Sequence, residues 1–210
     1  ISAAVDCNIY SIGQVDALFA AVDFAMNDQW HITFQMGRTN DEGEEAADNI
    51  DLSTTNNGGL FNTQKTEATW VNNLFLGDDH TVTFGLDYLK DEVTSSTTYD
   101  EATRDNKAAF AQYQIQLGAI DTNVGLRYDD NEQFGDYTTA SFLAGVNLTD
   151  DVRLVGSVSE GFKAPTFNDL YYPGYGDASF EPEESTNYEL GLNAVLGNSV
   201  VNVAVFNNQL

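Results

Sequence analysis

The sequence predicts an all-β protein, an antiparallel transmembrane β-barrel to which this chain contributes about ten strands. Three observations support this fold class. Apolar and polar residues alternate with a period of two in one segment after another, as in strands with one apolar and one wet face. The connections between these segments are alternately short and long. No helical periodicity falls between them, so repeated βαβ units are not expected.

The composition excludes several other classes of protein. The chain has 33 Asp and Glu against 8 Lys and Arg, a formal net charge of −25, so we expect no nucleic-acid partner. A hydrophobic content of 42% with 13 Phe and 10 Tyr is too high for a disordered acidic tail. The longest apolar run, residues 17–22, is too short for a membrane-spanning helix.

Each strand is predicted from its own alternation. In 81–88, for example, Val82, Phe84 and Leu86 are separated by Thr or Gly residues. The clearest alternation lies in 81–88, 120–129 and 187–194, and the register of 13–25 and 61–76 is ambiguous. In chain order the predicted strands are 13–25, 30–38, 61–76, 81–88, 109–118, 120–129, 139–148, 151–160, 187–194 and 200–206.

The connections predict which end of the barrel is external. Short polar turns fall at 27–29, 77–79, 118–119, 149–151 and 197–198, and longer segments fall at 41–59, 94–103, 130–137 and 163–184. Membrane barrels carry short turns on one side of the membrane and long loops on the other. We therefore expect the four longer segments to be external loops of one partial barrel domain that covers residues 1–210.

A soluble β-sandwich or propeller would also alternate, so the pattern alone leaves that alternative open. The barrel is favoured by the length of the strands, by the short and long connections, and by Tyr88, Tyr128 and Phe162 near strand ends, where an aromatic girdle would lie. Strands in lipid must pair on both sides. Because ten strands alone would leave two open edges, we expect the chain to be a fragment of a longer protein.

The segment 161–192 carries a resemblance to a known family. It contains GFKAPTFNDLYYPGYG at 161–176 and FEPEESTNYELGL at 180–192. Together with GLRYDDNEQFG at 125–135, these stretches closely resemble the barrel of TonB-dependent outer-membrane receptors. FNDLYYPG at 167–174 is most similar to the vitamin B12 (cobalamin) receptors among them. The resemblance is strong over 120–195 and only architectural over 1–119.

The resemblance implies a barrel of about 22 strands in the bacterial outer membrane, surrounded by lipid, with an N-terminal plug domain in its lumen. Ligand would bind between the external loops and the plug, and the TonB protein would supply energy through a segment near the N-terminus. The plug and that segment are absent from residues 1–210. We therefore expect the barrel portion of an active transporter, for cobalamin or, as the alternative, for a siderophore or haem.

Two functions from other classes stay open. They are a passive porin-like barrel and a secreted acidic β-sandwich that binds calcium or glycans. An enzyme is not expected, because the sequence contains no Gly-x-Ser-x-Gly, P-loop or His-Glu-x-x-His motif.

The best candidates for contact with substrate are the aromatic residues Phe167, Tyr171, Tyr172 and Tyr175, all within the longer segment 163–184. Aromatic side chains provide a large contact area with few rotatable bonds, which suits a ligand as large as a corrinoid. The alternative is that they pack on neighbouring loops or belong to the external girdle.

The resemblance also implies calcium, which cobalamin receptors bind through acidic external loops. Residues 41–51 hold six carboxylates, and Ca²⁺ prefers oxygen ligands in a flexible arrangement. The most suitable ligands are Asp41, Asp48 and Asp51, although their spacing does not match an EF-hand. The alternative is a solvated acidic loop. No other cofactor is expected.

Overall fold

The computed structural model describes residues 9–47 and 59–210. Ten strands form one antiparallel sheet in which each strand pairs with the next along the chain. They are β1 (Ile9–Asn27), β2 (Trp30–Ala47), β3 (Gly59–Phe75), β4 (His80–Ser95), β5 (Thr103–Leu117), β6 (Ile120–Asn131), β7 (Gly135–Thr149), β8 (Val152–Lys163), β9 (Glu183–Leu196) and β10 (Ser199–Gln209), with the short helix α1 (Phe167–Tyr171) between β8 and β9. The sheet is open at β1 and β10. This topology confirms the predicted all-β antiparallel fold.

One face of the sheet is apolar and exposed. Directly paired residues lie on the same face of a sheet, so the register places Val124, Phe142, Val158 and Tyr188 in one row across β6 to β9. Val124, Phe142 and Tyr188 are 48%, 45% and 47% exposed. A wide exposed apolar surface of this kind, which we call the apolar face, is typical of a lipid-facing barrel wall.

The apolar face ends at a row of polar residues toward the longer connections. Tyr88 is followed on the same face by Lys90 and Glu92. The side chain of Lys90 donates to Glu92 at 2.9 Å, and Gln64 of β3 donates to the other carboxylate oxygen at 2.8 Å. Charged side chains mark the end of the lipid-facing band. Tyr88 lies at the boundary between the apolar and polar residues of this face, and its place in an aromatic girdle stays a prediction.

The opposite face, which we call the polar face, contains ion pairs between strands. Arg153 of β8 reaches across β7 to Asp121 of β6, at 2.7 Å between nitrogen and oxygen. It passes over Gly145, where a Cβ atom would lie 2.0 Å from the guanidinium. Glycine at this position therefore leaves room for the ion pair. The polar face carries charged side chains and the apolar face carries apolar ones, as the alternation in the sequence predicts.

Two of the predicted external loops differ from the structure. Strand β2 continues through Asp41 to Ala47. It does not open into a loop at residue 41, because its backbone stays paired with β3 as far as Glu45 and Gly59. The segment 130–137 was predicted to be long, but only residues 132–134 separate β6 from β7. Asn131 closes this turn by accepting from the N–H groups of Gln133 and Phe134 at 3.2 Å.

Phe162, which was predicted to lie in the aromatic girdle, contacts a residue of β7. Its ring stacks on Tyr137, with centroids 4.0 Å apart. The pairing of β7 with β8 ends at Ser141 and Ser159, and beyond it the N–H of Ala140 donates to the Glu160 carboxylate at 3.0 Å. Beyond that point Phe162 still pairs with Glu184 of β9, so its place in the aromatic girdle stays a prediction.

Within residues 9–47 and 59–210, no helix has the length and apolar character needed to cross a membrane. The helix α1 has five residues.

Candidate ligand site

A cavity of about 1000 Å³ lies at the end of the sheet that carries the longer connections. Charged residues of β2 to β6 and of β8 line its wall, namely Asp41, Lys65, Asp91, Glu92, Arg104, Arg127, Asp129 and Lys163. The segment 164–182, which we call the β8–β9 segment, contributes Ala164, Thr166, Phe167 and Asn168 to the cavity. The cavity is therefore bounded by the polar face and by the segment that contains the predicted substrate contacts.

A network of charges and amides forms part of the cavity wall. Arg127 pairs with Asp129 at 2.9 Å and also with Asp87 of β4. Asn106 donates to the second oxygen of Asp129 at 2.8 Å. Asp129 is buried, with 6% of its surface exposed. A buried carboxylate is costly unless it is paired and hydrogen-bonded, so the contacts with Arg127 and Asn106 compensate the burial of Asp129.

The β8–β9 segment begins with a capped helical turn. The side chain of Asp169 accepts from the N–H and the hydroxyl of Thr166 at 2.9 and 2.7 Å, and the N–H of Asp169 donates back to Thr166 at 3.2 Å. This reciprocal capping box satisfies groups that a helix start leaves without partners. The hydrogen bonds from Thr166 hold the pKa of Asp169 below its ordinary value.

The helical turn packs onto a small apolar cluster above the sheet. Val93, Tyr99 and Phe167 are buried together, with Phe61 and Tyr171 packed against them. The Tyr99 hydroxyl donates to Asn168, and Gln133 donates to the Tyr171 hydroxyl. The β8–β9 segment is therefore joined to the connections at 96–102 and 132–134 by both apolar and polar contacts.

The four predicted substrate contacts divide into two groups. Phe167 lines the cavity but is only 6% exposed, and Tyr171 is half-buried. Tyr172 and Tyr175 are 44% and 88% exposed, and their ring centroids lie 6.1 Å apart. Of the four, Tyr172 and Tyr175 are the best placed to contact a ligand outside the cavity, whereas Phe167 and Tyr171 mainly hold the segment in place.

Most residues of the site were not predicted from the sequence, and two of them contact the β8–β9 segment. Tyr99 supports Tyr172 from below, with ring centroids 6.5 Å apart and the rings nearly perpendicular. Arg104 donates to the carbonyl oxygen of Pro165 at 2.8 Å. Neither residue lies in a motif that could have identified it.

The predicted calcium ligands are only partly described. Asp41 lies in β2 and lines the cavity, whereas Asp48 and Asp51 lie outside the described residues. In the described part of the chain, no group of three His, Cys, Asp or Glu residues could hold a metal ion. Calcium binding therefore stays a prediction.

The outer connections have a consistent charge. Residues 96–102, 132–134 and 164–182 contain no Lys or Arg, and their acidic residues are Asp100, Glu101, Glu132, Asp169, Asp177 and Glu181. Hydrogen bonds from Ser179 lower the pKa of Asp177. These three connections therefore carry net negative charge at neutral pH, which disfavours ligands that carry several negative charges.

We expect the β8–β9 segment to loosen in acid. A carboxylate with a lowered pKa stabilises the folded segment above its ordinary value of 3.8, and this contribution is lost as the pH falls through the lowered pKa. Amide hydrogen exchange in 164–182, corrected for the intrinsic rate, should stay slow at pH 5–7 and rise below about pH 4. Asp169→Asn should raise exchange at neutral pH and weaken its pH dependence. Unchanged exchange in this variant would contradict the role of the capping box.

The family model described as TonB dependent receptor-like, beta-barrel matches residues 8–210. Among curated proteins, the vitamin B12 transporter BtuB of Photobacterium profundum is 32% identical over 167 residues, which cover 79% of this chain and 27% of that protein. The vitamin B12 transporter BtuB of Vibrio vulnificus is 29% identical over 155 residues, covering 72% of this chain and 25% of that protein. The chain thus spans about a quarter of the length of these relatives.

Solved structures show the same fold at lower identity. The siderophore receptor PirA from Acinetobacter baumannii superposes with a TM-score of 0.77 at 17% identity, covering 94% of this chain and 35% of that one. The FrpB iron transporter from Neisseria meningitidis gives a TM-score of 0.74 at 13% identity, covering 92% and 36%. At these identities the likeness concerns the architecture alone.

Proposed function

This chain belongs to the TonB-dependent receptor-like β-barrel family of the bacterial outer membrane, and on that premise we propose that the whole protein imports cobalamin. Its apolar face contacts the lipid, and its polar face forms part of the lumen wall. Ligand binds at the outer end, at the exposed tyrosines of the β8–β9 segment. Energy comes from TonB through a part of the protein outside this chain. The family consists of transporters and receptors, in agreement with the prediction that the chain is not an enzyme.

The observation that carries the choice of ligand is the surface around Tyr172 and Tyr175. These rings are exposed, and they lie on a segment whose charged residues are all acidic. Cyanocobalamin has no net charge and presents a broad corrin ring edged with amides. Tyrosine rings suit its apolar surface, and carboxylate oxygens suit its amide N–H groups. The relatives described as vitamin B12 transporters support the same ligand.

Siderophore or haem uptake is the second candidate, because the structural neighbours include a siderophore receptor and an iron transporter. Ferric catecholates and haem carry negative charge. The acidic residues of 96–102 and 164–182 would repel such ligands during approach and binding, and this surface therefore favours cobalamin.

Equilibrium binding to the purified whole protein tests the proposal. We expect cyanocobalamin to bind at micromolar concentration or below and a ferric catecholate not to compete. A titration with and without calcium also tests the prediction for Asp41, Asp48 and Asp51, since added calcium should tighten binding if these residues hold the ion. The absence of cyanocobalamin binding at micromolar concentration, or displacement by the catecholate, would overturn the choice of ligand.

We expect Tyr175→Ala to weaken cyanocobalamin binding about tenfold, since an exposed aromatic contact contributes about 1–2 kcal/mol to binding. Tyr172→Ala should have a similar effect. Tyr188→Ala is the matched control, because Tyr188 is 47% exposed but lies on the apolar face. Isothermal titration of the three variants measures the difference. Equal affinities for Tyr175→Ala and Tyr188→Ala would contradict a ligand contact at Tyr175.

A further inference from the structure

Arg104 is a buried arginine at the outer end of β5, with only 8% of its surface exposed. Its guanidinium donates to the carbonyl oxygen of Pro165 at 2.8 Å and lies 3.8 Å from the carboxylate of Asp91. It also lies over two rings, 5.1 Å from the centroid of Phe167 and 5.7 Å from that of Phe134. One side chain thus contacts β4, the turn between β6 and β7, and the β8–β9 segment.

These contacts require the shape of a guanidinium. A planar cation can stack on aromatic rings while its edge donates hydrogen bonds to an oxygen in the same plane. A lysine ammonium is a compact charge that cannot make the same set of contacts. The arrangement is therefore specific for arginine. If only a positive charge near Asp91 were needed, lysine would serve equally well.

Backbone hydrogen bonds connect the residues that Arg104 contacts with the two exposed tyrosines. Pro165 and Phe167 are at the start of the helical turn, and the N–H of Asp177 donates to the carbonyl oxygen of Asp169 at 2.9 Å. Within this stretch, the N–H groups of Tyr175 and Gly176 donate to the carbonyl oxygen of Tyr172 at 3.1 and 2.7 Å. Once Pro165 and Phe167 are held, this hydrogen-bonded backbone fixes the position of Tyr175.

We propose that Arg104 is a positioning residue for the ligand. It holds the β8–β9 segment over the cavity before ligand arrives, so that Tyr172 and Tyr175 already face outward in their binding arrangement. A surface arranged in advance binds more tightly, because the ligand does not have to order the segment. This inference rests on the proposed function. It means that Arg104 contributes to the affinity for cobalamin without contacting the ligand.

The test compares Arg104→Ala and Arg104→Lys with Arg153→Ala in the whole protein. Arg153 is the matched control, since it is an ion-paired arginine of the polar face that pairs with Asp121 and does not line the cavity. Amide hydrogen exchange of residues 164–182 reports the segment without ligand. Isothermal titration reports the affinity for cyanocobalamin, and heat-dependent mobility on gels reports barrel assembly.

Both Arg104 variants should exchange at least about tenfold faster in 164–182. They should bind cyanocobalamin about tenfold more weakly if the segment is correctly placed in about a tenth of the molecules. Arg153→Ala should change neither quantity. If Arg104→Ala fails to assemble, Phe134→Ala removes one stacking ring and should produce a smaller shift in the same direction.

Three results would overturn the proposal. They are unchanged exchange in both Arg104 variants, faster exchange with unchanged affinity, and full rescue by Lys. If the unmodified protein does not bind cyanocobalamin, the proposed function fails and the ligand part of this inference fails with it. The exchange measurement then still decides whether Arg104 holds the segment.

Discussion

Phe142→Arg is expected to lower the free energy of unfolding of the whole protein in a phospholipid bilayer by about 2–4 kcal/mol. Phe142 lies in the middle of β7, between Val124 and Val158 on the apolar face. Its side chain is 45% exposed in this chain, and under the proposed function that surface contacts hydrocarbon. An arginine there brings a charge into lipid, where partners for its N–H groups are lacking.

The neighbouring residue supplies the control. Leu143 lies on the polar face between Asn123 and Ser157 and is 38% exposed. Leu143→Arg introduces the same charge one position along the strand, where polar side chains can solvate it, so its cost should be much smaller. Urea unfolding in vesicles, followed by tryptophan fluorescence, measures both variants. Equal losses would contradict the assignment of the two faces.

Arg127→Met is expected to destabilise the protein by about 3 kcal/mol, at the lower end of what breaking a buried ion pair costs. The change leaves Asp87 and Asp129 without the cation that both contact. Asp129 is the more buried of the two carboxylates, with 8% of its side chain exposed against 24% for Asp87. The Arg127 side chain is 36% exposed, so water screens part of the interaction and the loss is smaller than for a fully buried pair.

Removing the two charges should reverse most of this loss. The variant with Arg127→Met, Asp87→Asn and Asp129→Asn keeps similar side-chain volumes but has no uncompensated carboxylate. We expect its urea midpoint to lie much closer to that of the unmodified protein than to that of Arg127→Met. If the three changes together are as damaging as Arg127→Met alone, the loss comes from packing around Arg127 and the electrostatic explanation is wrong.

The sheet could be predicted from the sequence because alternation is a local property of each strand. In β6, every second residue from Val124 through Leu126 to Tyr128 is apolar, and the register places all three on the apolar face. The antiparallel pairing of the strands that short turns connect also followed from the sequence, because such turns allow only antiparallel neighbours. The predictions were less accurate at the outer end. There, β2 continues as a strand beyond residue 41, and only residues 132–134 separate β6 from β7.

The candidate site could be predicted only in part, because distant residues form it. Arg104 and Pro165 are 61 positions apart, and Tyr99 and Asn168 are 69 positions apart. The aromatic segment itself could be identified from its composition. Which of its rings are buried could not, since the burial of Phe167 depends on Arg104 and Tyr99 in other parts of the chain.

We propose that this chain forms part of the wall of an outer-membrane cobalamin transporter. The most direct test is uptake of labelled cyanocobalamin by cells that lack their own cobalamin receptor and produce the whole protein. We expect the label to accumulate in these cells and accumulation to stop when TonB is deleted. Failure to accumulate cobalamin by a protein correctly assembled in the outer membrane, or accumulation of a ferric catecholate in its place, would contradict the claim.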